Sequence, residues 1–307
     1  MSGSKYNFDF DELKMYFGEP YLIPMPNNHY IEIIQPSIGD ILYLGDKLVY
    51  STIAPFTGNT TTYRVLLWDN DIDWNKISDY ELFLMLTPNI KDISFIMNKV
   101  TFVNNPEYDV NLSEEDNYMN GQSKYIKTYS KIDFSNLKPY KMNKLDENGD
   151  LILDKNNEPK QEIVLCNVEQ NIMIDEQTYL HIREYLRMMF NQHPKEELAK
   201  GKLAKQWLIE HDKDNLKLEM NKNGNASKSV LLPLVSGLVN HPGFKYDLDG
   251  IKKLGIFAFM DSVQRLQIYQ QSIAFLGGMY SGMMDTSKMG EEELNKRINW
   301  LQDIYKK

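Results

Sequence analysis

Three aspartates at alternate positions in the stretch DNDIDW have the spacing of the first ligands in a calcium-binding loop. They are Asp69, Asp71 and Asp73. Such a loop also needs glycine at its sixth position and a bidentate carboxylate at its twelfth, because the chain must turn sharply and close around the ion. Trp74 and Tyr80 hold those positions here. The spacing therefore indicates a turn whose Asp side chains bond their own backbone.

Two further polar stretches fail the same kind of test. DENGDL has Leu151 and Asn157 where a calcium loop needs its glycine and its closing acid. GNASKS places Lys228 after Gly224, but Ser227 stands immediately before the lysine, where a phosphate-binding loop needs a second glycine. Neither stretch predicts a site.

The five histidines do not pair with one another or with the single cysteine, Cys166, at metal-ligand spacing. His211 with Asp212 and Asp214 could form a ligand cluster, and a charged helix surface is the preferred interpretation. No Gly-x-Ser-x-Gly nucleophile motif is present. The sequence predicts no catalytic residue, no cofactor and no metal. A nuclease or hydrolase whose site residues are dispersed along the chain stays open as a hypothesis.

The composition is typical of a soluble globular protein, with 42% hydrophobic and 25% charged residues among 307. The formal charge of −9 argues against general nucleic-acid binding, since that requires Lys and Arg to displace counterions from phosphates. Residues 1–120 carry 18 acidic and 7 basic residues, whereas the remainder carries 25 and 27. This asymmetry indicates either two regions in different surroundings or a solvated acidic face.

Hydrophobic periodicity divides the chain into three regions. Residues 1–103 form an acidic region of mixed, mainly helical character. Residues 104–176 form a middle region with β-hairpins, and residues 177–307 form a helical C-terminal region; one continuous domain is the alternative. The sequence therefore predicts an α+β fold that is rich in helix, with a β-containing middle and a helical C-terminal part.

Capping residues mark several helix starts in the first region. Asp9 or Asp11 is placed to cap a short helix, and Ser37 to cap one that begins at the next residue. Ser78 with Glu81 three positions later has the capping-box pattern. YIEII predicts a strand, whereas TTYRVLLWDN fits either a helix or a strand.

The middle region consists of short strand-prone runs, and the last region of segments with helical periodicity. The runs begin with DISFIMNKVTFV at the end of the first region and continue with YIKTYSKIDF, KPYKMNKL, DLILD and QEIVLCN, with turns predicted at DENG and KNNEPK. The polar stretch NNPEYDVNLSEEDNYMNGQS predicts a long loop. After Asp175 the spacing becomes helical, and helices are predicted over 177–190, 255–276 and 291–305.

Two glycines four residues apart, Gly278 and Gly282, lie in the apolar stretch AFLGGMYSGMMD. In a membrane this spacing lets two helices approach closely, but the apolar run 273–284 is shorter than the roughly 20 residues that span a bilayer. The prediction is therefore a tight helix contact in water, within the chain or between subunits. A bend or helix end at Gly277-Gly278 is the competing interpretation.

Methionines surround these glycines: Met279, Met283 and Met284, with Met289 nearby. Three interpretations are open. They could fill the core, they could lie at a helix end packed against a sister subunit, or they could form an adaptable binding face, because Met fits irregular surfaces. Together with the two glycines, the first three methionines are the predicted interaction residues.

A family resemblance rests on several blocks of the sequence: YFGEPYLI, IIQPSIGDI, DIDW, NKISDYELF, VNHPGFKYDL, GIFAFMDSVQRLQIYQQS and GGMYSGMMDTSKM. These blocks resemble uncharacterised tail-region proteins of phages and prophages of Gram-positive bacteria, in which DIDW has the form GIDW. The resemblance covers most of the chain and is weakest across 104–135.

The resemblance implies a role in tail morphogenesis, because such proteins look to be encoded in the tail-morphogenesis region, in a position similar to that of tail assembly chaperones. It implies a non-enzymatic protein that binds other tail proteins, such as the tape measure or tail tube protein, in the host cytoplasm during assembly. A homo-oligomer is compatible with it, whereas membrane and nucleic-acid partners are not expected. The alternative is a structural component of the virion, in the neck or tail. No active site is attached to the resemblance.

Overall fold

Helices and two small antiparallel sheets alternate along the chain. The computed structural model describes residues 10–144, 150–223, 229–287 and 289–305. The strands are β1 (Tyr21–Met25), β2 (His29–Ile33), β3 (Met97–Asn104), β4 (Tyr125–Lys131), β5 (Lys138–Asn143), β6 (Gln161–Asn167) and β7 (Ile172–Ile174). The helices are α1 (Glu12–Tyr16), α2 (Ile38–Leu44), α3 (Asp46–Thr57), α4 (Arg64–Asp69), α5 (Asp79–Leu86), α6 (Glu114–Met119), α7 (Glu176–Met189), α8 (Lys202–Asn223), α9 (Leu231–Val239), α10 (Leu248–Lys253), α11 (Ile256–Tyr280) and α12 (Glu291–Ile298).

The larger sheet has the strand order β1-β2-β3-β4 and the smaller one the order β5-β6-β7. Side chains alternate between the two faces of a strand, and in the larger sheet one face carries Ile23, Ile31 and Met97, all buried. Register places Ile23 opposite Ile31 and Ile33 opposite Met97. This apolar face packs on the helices and forms part of the core.

Both edge strands of the larger sheet carry residues that disfavour further pairing. Pro24 lies in β1 opposite Tyr30, and a proline can occupy a paired edge strand only with its nitrogen turned away from the neighbour. At the other edge, β4 is exposed along its whole length and carries Lys127 and Lys131. Lys127 binds the buried carboxylate of Glu32 at 2.9 Å.

The predicted helix starts in the first region are confirmed where they lie in the described residues. Asp11 caps α1, and Ser37 and Ser78 begin α2 and α5, each with a complete capping box. Glu81 closes the second of these boxes. The other candidate cap, Asp9, lies outside the described residues.

The helix predicted to begin after Ser37 is short, and a second helix follows it directly. Gly45 has a φ of +89°, a left-handed conformation that ends α2 and that glycine adopts without strain. Asp46 then begins α3, and its carboxylate accepts hydrogen bonds from the Ser229 hydroxyl at 2.5 Å and from the Val230 amide at 2.7 Å. The undecided stretch TTYRVLLWDN contains helix α4.

Most of the strands predicted for the middle region are confirmed as β3, β4, β5 and β6. DLILD forms isolated bridges instead of a strand, among them the one between Leu153 and Pro159, and the DENG turn lies outside the described residues. The predicted long loop contains α6. Within it Asn117 is fully buried, and its side chain binds backbone atoms of Asp109 and Ser113. The short strands β1 and β7 were not predicted.

In the last region, the predicted helices over 177–190 and 255–276 are confirmed as α7 and α11. The third prediction is only half right: α12 ends at Ile298, and the segment 299–305 is not helical. Tertiary contacts described below fix that segment in another conformation.

The main core contains residues from all three sequence regions. Ile33, Phe83, Ile174, Leu186 and Phe259 belong to one cluster of buried side chains. Strand β3 crosses the boundary drawn at residue 103, and it pairs on both sides. Helices make up 47% and strands 16% of the structure, which confirms the predicted α+β class with a helical C-terminal region.

Candidate functional site

Two of the three aspartates with calcium-loop spacing form ion pairs with lysines of α8. Asp69 accepts from Lys213 at 2.6 Å and Asp73 accepts from Lys205 at 2.5 Å. The hydrogen bond from Lys205 lowers the pKa of Asp73. Asp71, with a φ of +59°, lies in the turn between them. Among the described residues no group of three or more His, Cys, Asp or Glu side chains is placed to hold a metal ion.

The acidic residues beside His211 also have ion-pair partners. Arg64 donates to both carboxylate oxygens of Asp212 at 2.5 and 2.7 Å and to Glu197 at 2.6 Å. Asp214 binds Lys217 on the exposed surface of α8. The hydrogen bonds from Arg64 lower the pKa of Asp212. These contacts agree with the interpretation of a charged helix surface and join α4 to α8.

The two other polar stretches fall largely outside the described residues. This applies to the first four residues of DENGDL and to Gly224–Lys228 of GNASKS. Ser229, the last residue of the second stretch, bonds Asp46 as described above.

A groove of about 580 Å³ lies between α1, the first half of α11 and the segment 299–305, and we call it the α1–α11 groove. Its lining combines aromatic and apolar side chains with a few charged ones. The lining residues are Glu12, Leu13, Tyr16, Phe257, Asp261, Ser262, Arg265, Trp300, Leu301 and Tyr305.

Arg265 holds the C-terminal segment against α11. Its Nη1 atom donates to the carbonyl oxygens of Gln302 at 2.7 Å and of Trp300 at 3.4 Å. A continued α12 would use such carbonyls in its own i→i−4 bonds. The guanidinium therefore holds the segment after Ile298 against α11 in a non-helical conformation.

Tyr305 fills the inner end of the groove. Its ring stacks on Phe257 with centroids 5.1 Å apart, and its hydroxyl donates to Asp261 Oδ1 at 2.8 Å. Burial, followed by the hydrogen bond to Asp261, raises the pKa of Tyr305. The phenol therefore stays a neutral donor. The inner end of the groove is thus occupied by an aromatic side chain of the same chain that donates a hydrogen bond.

The outer rim of the groove is apolar. Leu13 and Leu301 are both largely exposed, and the neighbouring Phe17 is also exposed. Tyr16 is partly covered, and burial is the main cause that raises its pKa. Exposed apolar groups around a concave surface are typical of a site that binds another protein.

The predicted tight contact at Gly278 and Gly282 is wrong within the single chain. Gly282 has a φ of +70° and follows the end of α11, where Met283 N–H donates to the Gly278 carbonyl at 3.0 Å and Gly282 N–H to the Met279 carbonyl at 3.1 Å. These two bonds form a Schellman helix end. A Cβ atom would meet nothing within 4 Å at Gly282 and only the Met284 side chain at Gly278.

The competing interpretation, a helix end, is right in kind but misplaced by a few residues. Helix α11 continues through Gly277 and Gly278 to Tyr280. A contact of these residues between subunits stays a prediction. Substituting Leu at Gly282 would strain the backbone with or without a partner, because of the positive φ.

The methionines do not fill the core of the chain. Met283 is 89% exposed and Met284 is 40% exposed, so the core interpretation is wrong for these two. Met279 is half-buried in the last turn of α11. The two interface interpretations, a sister subunit or an adaptable binding face, stay open for the predicted interaction residues.

Sequence reasoning missed the exposed face of α11 just before this turn. We define the α11 face as the side chains of its second half that share one exposed side. They are Tyr269, Gln270, Ile273, Ala274, Gly277 and Tyr280. A signal for it was present, because no charged residue occurs between Arg265 and Asp285.

Comparison with known proteins does not test the hypothesis of a phage tail protein. The chain matches no protein-family model, no curated protein and no solved structure. Among the described helices, none combines the length and the apolar character that crossing a bilayer requires.

Proposed function

We propose that this chain is a non-catalytic protein of phage tail morphogenesis, similar to tail assembly chaperones. It acts in the host cytoplasm and holds an apolar segment of another tail protein in the α1–α11 groove. The resemblance of its sequence blocks supports the biological setting. The groove, with its exposed apolar rim around a polar centre, is the observation that supports the binding role.

Tyr305 occupies the polar inner end of the groove, where its ring stacks on Phe257 and its hydroxyl bonds Asp261. The apolar rim is therefore the part of the groove that is left open to a client segment. The exposed Leu13 and Phe17 add apolar surface at the outer end.

Co-expression with the tape measure and tail tube proteins of the same phage tests the proposal. We expect the tagged chain to retain one of them, and Leu13→Glu to abolish that retention by placing a charge on the rim. Leu203→Glu is the matched control, since Leu203 is an exposed leucine of α8 outside the groove. Equal retention by both variants would exclude the groove. Retention of neither tail protein by the parent chain would exclude the function.

Mass spectrometry of purified virions separates the two tail roles. A chaperone is absent or scarce in finished particles, because it leaves its client during assembly. A structural component of the neck or tail is present in many copies. Abundant peptides of this chain in the virion would therefore replace the chaperone-like role with the structural one.

A further inference from the structure

The segment 291–305, which we call the strap, lies on the surface of α11. It consists of α12 and the non-helical segment 299–305. Every residue of the strap is half-buried or exposed, and α12 has no buried side chain. An element with few buried apolar contacts opens at a lower free-energy cost than the core of the same protein. The strap is therefore the kind of element that opens while the rest of the chain stays folded.

Aromatic and polar contacts of residues 299–305 hold the strap in the α1–α11 groove. Tyr305 stacks on Phe257 and donates to Asp261 at 2.8 Å. Arg265 donates to two carbonyl oxygens of the strap. Phe257 and Asp261 are only 1% and 7% exposed. Tyr305 thus lies on a ring and a carboxylate that water barely reaches, and both need another partner when it leaves.

The strap also has a second conformation available to it. Leu294, Ile298 and Leu301 recur at helical spacing. Arg265 holds carbonyl groups that a continued α12 would use in its own hydrogen bonds. A released strap can form these bonds only in part, since a helix of this length is marginal in water without packing. Release therefore replaces some of the lost contacts and does not leave the segment without any.

We propose that the strap detaches from the α1–α11 groove and that an extended segment of another protein, with a tyrosine in the place of Tyr305, occupies the inner end instead. This inference deepens the proposed function and rests on it, because the client is expected in the same groove. The exposed apolar rim gives the client its first contact, and the inner end becomes available when the strap leaves.

The chemistry of the uncovered inner end favours this occupant. The ring of Phe257 stacks with an aromatic side chain, and such pairs are more favourable than their buried area alone implies. The buried carboxylate of Asp261 requires a hydrogen-bond donor and disfavours an acidic side chain. Arg265 donates to main-chain carbonyl oxygens in the structure, so it can hold an extended segment whatever its other side chains are. A tyrosine in an extended, largely apolar segment meets all three requirements.

A fluorescein-labelled peptide with the sequence of the strap, EEELNKRINWLQDIY, is the probe for the opened groove. Trp300→Ser combined with Tyr305→Ser removes the aromatic contacts of the strap with Tyr269 and Phe257 and leaves α1 and α11 unchanged. In the parent chain the strap competes with the peptide at an effective concentration on the order of millimolar. Fluorescence anisotropy should therefore give a Kd at least about tenfold lower for the double variant than for the parent.

Two controls show whether the peptide binds in the groove. The Tyr305→Ser version of the peptide should not bind, because it lacks the stacking ring and the donor. Leu13→Glu added to the double variant should abolish binding, whereas Leu203→Glu, at an exposed position on α8, should not. Peptide binding that is equal in the parent and in the double variant, or absent from the folded double variant, would overturn the proposal.

Amide hydrogen exchange of the complete chain gives a second result, which does not depend on the double variant. The hydrogen-bonded amides of α12 should exchange at least about tenfold faster than those in the first half of α11. Tyr305→Ser should accelerate the exchange of α12 further, because the strap opens as one unit. Equal protection of the two helices, or an α12 that does not respond to Tyr305→Ser, would overturn the detachment.

Co-expression with the tape measure and tail tube proteins separates the two proposals. The double variant should retain more of the client than the parent chain does, because no strap competes for the inner end. Retention that is no greater than that of the parent would overturn the competition. If neither chain retains a tail protein while the peptide binds as expected, the proposed function fails and the strap stands. If the parent retains a client and the peptide does not bind the double variant, the function stands and the strap fails.

Discussion

Removing Asp212 is expected to destabilise the protein more than removing Arg64, although Arg64 is the more buried of the two. The Arg64 side chain is 8% exposed and that of Asp212 is 25% exposed. Asp212→Ala leaves the guanidinium with Glu197 as its remaining anionic partner. Breaking a buried pair and leaving one charge behind costs about 3–5 kcal/mol. We expect the lower end, about 3 kcal/mol, because Glu197 still neutralises part of the charge.

Arg64→Met has the opposite consequence for solvation. It removes the buried charge and leaves two carboxylates, of which the Glu197 side chain is 52% exposed. Both carboxylates can recover water, so only the net value of the hydrogen bonds is lost. We expect a cost of about 1–2 kcal/mol, after allowing for solvent screening of the more exposed partner.

Urea unfolding followed by tryptophan fluorescence measures which of the two substitutions, Asp212→Ala or Arg64→Met, costs more stability. Trp74 is fully buried in the small cluster beside the network, and Trp68 packs against it with ring centroids 6.0 Å apart. The midpoint should fall furthest for Asp212→Ala. Lys217→Met, which breaks an exposed pair on α8, is the control and should leave the midpoint unchanged.

The double variant gives the sharpest test. With methionine at position 64, the loss of Asp212 no longer leaves a buried guanidinium without its partner. The combined Arg64→Met and Asp212→Ala variant should therefore be more stable than Asp212→Ala alone. If the double variant is the least stable, or if Arg64→Met alone costs more than Asp212→Ala, the explanation by a stranded buried charge is refuted.

Three further outcomes are expected. Because Arg64 lowers the pKa of Asp212 from its ordinary value of 3.8, ionised Asp212 stabilises the fold above that pH and this contribution is lost as the pH falls through the lowered pKa. Unfolding measured between about pH 2 and 5 should therefore depend less on pH in Asp212→Asn than in the parent. Gly282→Ala should cost about 1–2 kcal/mol through its left-handed backbone, whereas Gly237→Ala, inside α9 with open space around it, should stabilise by up to about 1 kcal/mol; thermal melts that shift in the same direction would contradict this. Tyr80→Phe removes a buried hydroxyl that lies 2.8 Å from each of two backbone carbonyl oxygens of the smaller sheet. It should cost about 1–2 kcal/mol, and an unchanged melting temperature would show that this bond adds nothing.

Features fixed by near neighbours could be predicted from the sequence. The caps at Ser37 and Ser78 need only residues within three positions, and both formed as expected. The helix after Asp175 likewise begins with that side chain accepting from the Thr178 amide at 2.7 Å. The short strand β7 was missed because its three residues carry too little periodicity for a prediction.

The end of α12 could not be predicted, because a distant residue holds the segment that follows it. Leu294, Ile298 and Leu301 have helical spacing, and the pattern alone favours a longer helix. Arg265 lies more than 30 residues earlier and takes the carbonyl groups of that segment. Local pattern and tertiary contact disagree here, and the tertiary contact prevails.

The candidate site was predicted only in part. The sequence drew attention to the end of α11 but selected Gly278 and Gly282 as one helix face. Residues four apart share a face only while the helix continues, and α11 ends before Gly282. The groove combines Leu13, Phe257 and Tyr305, which lie in three distant parts of the chain. No local sequence pattern links these residues, and only the fold brings them together.

The two blunted edges of the larger sheet have a consequence for the behaviour of this chain at high concentration. An open sheet edge presents unpaired amide and carbonyl groups that can recruit a strand from another molecule and begin aggregation. Pro24 removes one such donor from the β1 edge, and Lys127 and Lys131 place positive charge along β4. A second copy therefore finds no favourable edge on the larger sheet to extend. The larger sheet is thus protected against fibril-like growth at both of its edges.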